Sequence, residues 1–348
     1  MDHLSNPFRT IGLYHPDLAN IPWPSANASV TSELLARCPV AATTPLQAAP
    51  ELAARAGIAQ LYVKDERSRI GLGSFKALGA ANVIAHHAQS GTAADQTYVT
   101  ASAGNHGLSV AVGARVFGAQ SRVFLAESVP ESFAQRLQKE GAEVVRAGNT
   151  YEESMSAAEE NARLTGGTLL SDSSWVGYTD LPHLLMEGYT ALMAEVVTQM
   201  ADPPTHIFLQ AGVGGLAAAC AVHARKAWGD APIISVVEPE FAPALYGSIA
   251  GSAPVTAEGP ASCMGRLDCK APSLIALKGL ARDADHFLTL TEEEAQVGVA
   301  QAKPAGLAST PSGAAGLAAL LAAGSHRSAL QIDTNARALV ILSEAAEA

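Results

Sequence analysis

The chain has 348 residues, more than one ordinary core accommodates, so two domains, or one large α/β unit with an added lobe, are expected. A formal charge of −11 argues against nucleic acid or an anionic membrane as the main partner. Hydrophobic residues make up 48% of the chain and aromatics only 5%, which suits close helix-on-sheet packing and excludes a typical β-sandwich.

The first 45 residues, with Pro22, Pro24 and Pro45, read as an arm over the surface. Met1-Asp2-His3-Leu4-Ser5-Asn6-Pro7 has no basic stretch leading into an apolar one, so no signal peptide and a cytoplasmic location are expected. From Gln60 onward strand-like and helix-like runs alternate. They are a strand 60–64, a helix 74–88, a strand 97–100, a helix 107–117, a strand 121–125, a helix 131–140, a strand 143–146, a helix 152–164 and a strand 168–170. After Ala201-Asp202-Pro203-Pro204, a candidate seam, come a strand 206–209, a helix 216–228 and a strand 233–237. Strands alternating with helices in this way build right-handed βαβ units and a parallel sheet, so the fold class is α/β. No stretch is long and apolar enough to read as a membrane span. Cys38, Cys220, Cys263 and Cys269 show no CxxC pair and no histidines at metal spacing, so reduced thiols and no metal site are expected.

Three segments carry candidate chemistry. A polar loop ending in Gly71-Leu72-Gly73-Ser74-Phe75 delivers Lys76 to the first turn of an apolar helix, where burial would lower its pKa and make the amine nucleophilic toward an aldehyde. On this segment alone a snorkelling helix lysine is an equal reading. Next, Thr100-Ala101-Ser102-Ala103-Gly104-Asn105-His106-Gly107 follows a strand and opens a helix, a setting in which backbone N–H groups can hold a carboxylate; an ordinary Ser/Asn turn is the alternative. Finally, Gln210-Ala211-Gly212-Val213-Gly214-Gly215-Leu216 has the same setting with more glycine and suits a phosphate. It lacks the lysine of a Walker loop and fits the dinucleotide fingerprint poorly, although Glu238 lies at roughly the spacing of that fingerprint's acid.

An amine, a carboxylate cradle and a phosphate cradle together suit an amino acid held on pyridoxal phosphate (PLP). The chain resembles the fold type II PLP enzymes, the tryptophan synthase β-like group that includes the threonine and serine dehydratases, and within that group it is most similar to the diaminopropionate ammonia-lyases. The resemblance runs through Thr44-Pro45-Leu46, Val63-Lys64-Asp65-Glu66, Phe75-Lys76, Gly104-Asn105-His106-Gly107, Asp172-Ser173-Ser174-Trp175-Val176-Gly177-Tyr178, Glu187-Gly188-Tyr189, Gln210 to Gly214, Val237-Glu238-Pro239, Met264 to Cys269 and Pro311 to Gly316.

The resemblance implies two open, twisted, mostly parallel sheets with flanking helices. It also implies a large cofactor domain formed by residues 1–78 and 191–348, a small substrate-side domain at 79–190, and a homodimer. It places Lys76 in the Schiff base, Asn105 on the ring oxygen and Gly212, Val213, Gly214, Gly215 and Leu216 on the phosphate. Ser343 falls at the pyridine nitrogen, where a neutral hydroxyl favours elimination over transamination. Ser102, Ala103, Gly104, Asn105, His106 and Tyr178 fall on the substrate side. Asp172 is implied as a base for the Cα proton of an L substrate, with Lys76 as the competing base; from the residues alone it could equally be a turn or cap. Ala103 stands where the lyases carry a second aspartate, which is taken to serve the D isomer. The expected reaction is α,β-elimination from a small L-amino acid, with 2,3-diaminopropionate leading to pyruvate and ammonia. A dehydratase acting on threonine, serine or hydroxyaspartate is the first alternative, and a non-catalytic amino-acid sensor is the second.

Overall fold

The computed structural model describes residues 1–346. Its strands are β1 (Asp2–Ser5), β2 (Leu46–Ala48), β3 (Gln60–Asp65), β4 (Thr97–Ala101), β5 (Gln120–Leu125), β6 (Glu143–Arg146), β7 (Thr168–Leu169), β8 (His206–Gln210), β9 (Ile233–Pro239), β10 (His286–Leu290) and β11 (Arg337–Leu342). They form a seven-stranded sheet ordered β1-β10-β9-β8-β11-β3-β2 and a four-stranded sheet ordered β6-β5-β4-β7. Every pairing is parallel except those of the two edge strands of the larger sheet, β1 on β10 and β2 on β3. The expected two mostly parallel sheets with flanking helices are therefore present.

Burial follows from this topology. Helices cover both faces of the larger sheet, so β8 and β10 are buried along their whole length. Alternate residues serve opposite faces: Ile207 and Leu209 join the core under the Lys76–Gln89, Asp180–Gln199 and Gly215–Trp228 helices, while Phe208 joins the core under Glu292–Ala302 and Ala315–Leu321.

Two features escape the sequence pattern. The first residues do more than wrap the surface, because β1 pairs with β10 and Asn6 Nδ2 donates to the carbonyls of Ala281 and Ala284 at 2.9 and 2.6 Å. A four-residue edge strand has no apolar run to announce it. The 20-residue Asp180–Gln199 helix leads the chain from β7 back toward β8, and it crosses the Lys76 helix almost backbone to backbone. A Cβ on Gly188 would stand 2.6 Å from the Leu78 carbonyl oxygen, and one on Gly79 would stand 2.7 Å from the Tyr189 ring. The crossing brings Tyr189 beside Lys76.

Candidate active site

Five of the segments that carry chemistry leave the C-terminal ends of parallel strands: 66–76 after β3, 102–105 after β4, 170–172 after β7, 211–215 after β8 and 343–344 after β11. Open α/β sheets bind ligands at such ends, where loops converge and helix N-termini point inward.

Lys76 begins its helix, and its ammonium contacts the Asp172 carboxylate as a hydrogen-bonded ion pair. The Phe75 and Tyr189 rings lie 5.3 and 6.0 Å from Nζ, and the two rings meet edge to face. This overturns the expectation of a depressed lysine. Burial is the largest influence and lowers the pKa, but Asp172, Tyr189 and the direct hydrogen bond together raise it above the ordinary lysine range. Asp172 is the mirror image: burial lifts it, and Lys76 and His106 outweigh burial and hold it below the usual carboxylate range.

The Asp172 turn is held from both sides. The Tyr178 hydroxyl donates to the Leu169 carbonyl at 2.8 Å and accepts from Ser171 N–H at 3.1 Å, while its ring stacks on Trp175 at 4.4 Å. That hydroxyl, expected on the substrate, is engaged in shaping the turn next to Asp172. Ser174 accepts from Ile275 N–H at 2.9 Å and bonds Ser273, which fixes the turn to the Leu274–Asp283 helix.

In the loop after β4, Ser102 Oγ accepts from Gly104 N–H at 3.2 Å, and a Cβ on Gly107 would stand 2.7 Å from the Ser102 carbonyl oxygen, so that position requires glycine. Ala103 is exposed. His106 is buried and its Nε2 donates to the Leu170 carbonyl at 2.8 Å; burial first, then Lys76, holds its pKa down. It therefore ties this loop to the Asp172 segment. Asn105 donates from Nδ2 to Glu344 at 2.5 Å.

The glycine loop has room only for backbone. A Cβ on Gly212 would approach Cys269 Sγ to 3.0 Å; one on Gly214, whose φ of +98° disfavours L side chains, would approach Ala276 to 2.9 Å. The first N–H groups of the Gly215–Trp228 helix have no intrahelical partner. Tyr189 and Cys269 connect this loop to Lys76. The Tyr189 ring also lies 3.4 Å from a Cβ built on Gly215, and Cys269 is close enough to Lys76 to influence its ionisation.

Glu238 does not serve a nucleotide. Its carboxyl accepts from Leu245 and Tyr246 N–H at 2.8 and 2.7 Å and caps the Ala244–Gly251 helix, with burial pushing its pKa up to about 8 against those bonds. One residue was missed by sequence reasoning. Glu344 is buried and faces Asn105, Thr310 and Arg266, yet it looked like a mere flank of Ser343.

Residues 39–344 match the model of the pyridoxal-phosphate dependent enzymes. The chain belongs to this family. Its relatives include diaminopropionate ammonia-lyase of Escherichia coli K12, 29% identical over 309 residues that cover 81% of this chain and 78% of that protein. The Salmonella typhimurium diaminopropionate ammonia-lyase is 30% identical over 361 residues, covering 91% and 89%. L-threonine dehydratase of Mycobacterium tuberculosis is 28% identical over 291 residues, covering 82% of this chain and 65% of the relative. Among solved structures, E. coli diaminopropionate ammonia-lyase with an aminoacrylate-PLP azomethine intermediate superposes with a TM-score of 0.88 at 28% identity, covering 99% of this chain and 93% of that one.

The residues present fit that cofactor. Gly212 and Gly214 leave no room for a Cβ, so their loop presents backbone N–H groups for a phosphate, and Tyr189 joins that loop to Lys76, whose amine could bond an aldehyde once freed of its proton.

Proposed function

We propose that the protein is a lyase that removes the Cα proton and the β-substituent of a small L-amino acid, with 2,3-diaminopropionate as substrate and pyruvate and two ammonia molecules as final products after hydrolysis. The observation that carries this reading is the Lys76–Asp172 pair: an amine and a carboxylate in contact, half-buried between a carboxylate cradle and a phosphate cradle. The lyase relatives matched over most of the chain support the choice of substrate.

When bound, the cofactor supplies the electron sink that acidifies Cα. In this reading the residues divide the remaining work. Gly212, Val213, Gly214, Gly215 and Leu216 hold the phosphate through backbone N–H groups. Asn105 meets the ring oxygen and Ser343 the ring nitrogen, while Ser102, Ala103, Gly104 and His106 form the cradle for the substrate carboxylate. Asp172 takes the Cα proton at a carboxylate oxygen and passes it toward the leaving amine, and Lys76 would hold the cofactor through its aldehyde, with its freed amine as the competing base. Tyr178 acts one step back by shaping the Asp172 turn.

The lobe boundaries 1–78 with 191–348, and 79–190, belong to the same proposal; the strands of the four-stranded sheet all fall between residues 97 and 169. So do cytoplasmic location, expected from cysteines that show no paired pattern, and a homodimer, implied by the family resemblance; fractionation and sedimentation check them.

The test is release of 2-oxo acid by protein purified with PLP, comparing L-diaminopropionate with serine, threonine and hydroxyaspartate. Fastest turnover of diaminopropionate supports the proposal, while faster turnover of a hydroxy substrate transfers the assignment to the dehydratase reading. Absence of any visible cofactor band after adding PLP would reject both.

A further inference from the structure

The segment that follows β11 reaches two of the loops that build the site, the Lys76 loop and the Asn105 loop. Phe75 N–H donates to the Ser343 carbonyl at 3.1 Å and Ala345 N–H to the Gly73 carbonyl at 2.9 Å, so residues 343–345 form a short ladder with the loop that delivers Lys76. From the middle of that ladder the Glu344 side chain turns inward and is buried. One carboxylate oxygen accepts from Asn105 Nδ2 at 2.5 Å and faces Arg266 Nε at 3.1 Å, and the other accepts from the Thr310 hydroxyl. The carbonyl of Glu344 accepts from Ser309 Oγ at 2.6 Å. The surroundings are shaped for this side chain: a Cβ on Gly313 would stand 2.8 Å from Glu344 Cγ.

Asn105 opens the Asn105–Val116 helix beside the four-stranded sheet, 239 residues from Glu344 in sequence. Its side chain can turn end for end at little intrinsic cost, because the amide is nearly symmetric in shape. A carboxylate accepts hydrogen bonds and never donates them. Glu344 therefore fixes the amide with its NH₂ group toward the carboxylate, and leaves the second N–H of that group free to donate to an oxygen in the cleft. Arg266 offsets the carboxylate charge.

We propose that Glu344 is a positioning residue: it sets the Asn105 amide with its N–H toward the ring oxygen of the cofactor and ties the start of that helix to the Lys76 loop. This rests on the PLP reading above, with Asn105 as the ring-oxygen contact.

The test is a double-mutant cycle on the loaded protein with Glu344→Gln, Asn105→Ala and the pair, following the visible absorption maximum, the pH midpoint of the cofactor spectrum and the rate of cofactor loss. A hydrogen bond to a charged group predicts loss of the cofactor about 10- to 100-fold faster in Glu344→Gln. The spectral shift should match that of Asn105→Ala, and the double variant should be no worse than either single one. Glu344→Asp, which keeps the charge but shortens the reach, should fall between wild type and Glu344→Gln. If Glu344→Gln does not fold, Thr310→Val releases the carboxylate from its other side and should give the same spectral shift in smaller measure. Additive effects of Glu344 and Asn105, or an unchanged spectrum in Glu344→Gln, would overturn the proposal. Wild-type protein without a visible band would instead reject the PLP reading itself, so the two failures are distinguishable.

Discussion

Asp172→Asn separates the two bases that compete for the Cα proton. The substitution keeps the size of a side chain that is 15% exposed and removes its charge. Proton transfer by a placed group contributes about 10²- to 10⁴-fold. With tenfold in rate equal to about 1.4 kcal/mol, Asp172→Asn should raise the barrier for L-diaminopropionate by about 3 to 5 kcal/mol. The variant also removes the main influence that raises Lys76, leaving burial opposed only by Tyr189 and Cys269, so the lysine pKa should fall and its free amine should form at lower pH. The assay is kcat/KM for 2-oxo acid release as a function of pH, beside the visible spectrum that reports cofactor bound through Lys76. The expected result is a full complement of bound cofactor, a loss of about 10²-fold or more in kcat/KM, and a profile displaced on the side where Lys76 titrates. If kcat/KM stays within about threefold, Asp172 is not the base and Lys76 removes the proton; if cofactor binding is lost as well, the variant reports on site assembly and the assignment fails with it.

Ala103→Asp places a carboxylate on an exposed loop position where the family resemblance implies one, and it should add measurable turnover of the D isomer while L turnover persists; a D/L rate ratio unchanged from wild type refutes this. Gly214→Ala forces an L side chain to φ +98° and presses its methyl within 2.9 Å of Ala276, so cofactor affinity should drop at least about tenfold and stability by about 1–3 kcal/mol, read by equilibrium dialysis and urea titration. Glu195→Ala removes the carboxylate of Lys64 at 2.6 Å and one of the two of Arg69 at 2.7 Å, leaving Glu66 on Arg69, and with the two cations 0% and 1% exposed it should cost about 3–5 kcal/mol in urea; a cost below about 1 kcal/mol shows that the cluster is dispensable. For the Glu195 carboxyl burial raises the pKa, but Arg69 and Lys64 outweigh it and the net shift is downward. Its contribution is therefore present above its unfolded pKa of about 4.3 and is lost as pH falls through the lower folded value, so wild type should lose stability on acidification more steeply than Glu195→Ala.

The parallel strands were legible because they are buried on both faces and read as apolar runs such as Ile207-Phe208-Leu209, with helices of fixed period between them. Lys76 and the two glycine-bearing turns were legible because a special backbone leaves a residue signature: only glycine fits at Gly107, Gly212 and Gly214. Glu344 and Tyr178 were hidden for the opposite reason. A carboxylate whose partners lie at Asn105, Arg266 and Thr310 has no local pattern, and a tyrosine hydroxyl aimed at Leu169 and Ser171 looks the same in sequence as one aimed at a substrate. The edge strand β1 and the Asp180–Gln199 helix were missed because long-range packing, against β10 and across Gly79, decides them.

The charge state of Lys76 was misjudged from sequence for a related reason, and the correction has a consequence for catalysis. Burial acts on both members of the pair, lowering Lys76 and raising Asp172, and each ion is kept charged chiefly by the other. Any event that takes the positive charge off Lys76 removes the largest influence that depresses Asp172. Burial then weighs more heavily, and the carboxylate becomes a stronger base than it is beside the charged lysine. His106, held low by burial against the carbonyl bond to Leu170, is a smaller depressing influence on Asp172 than Lys76 and moderates this rise. If Asp172 is the base, as proposed, its contact with Lys76 would keep it quiet while the lysine is charged and free it when the lysine is not, so proton removal would wait until the amine has been engaged.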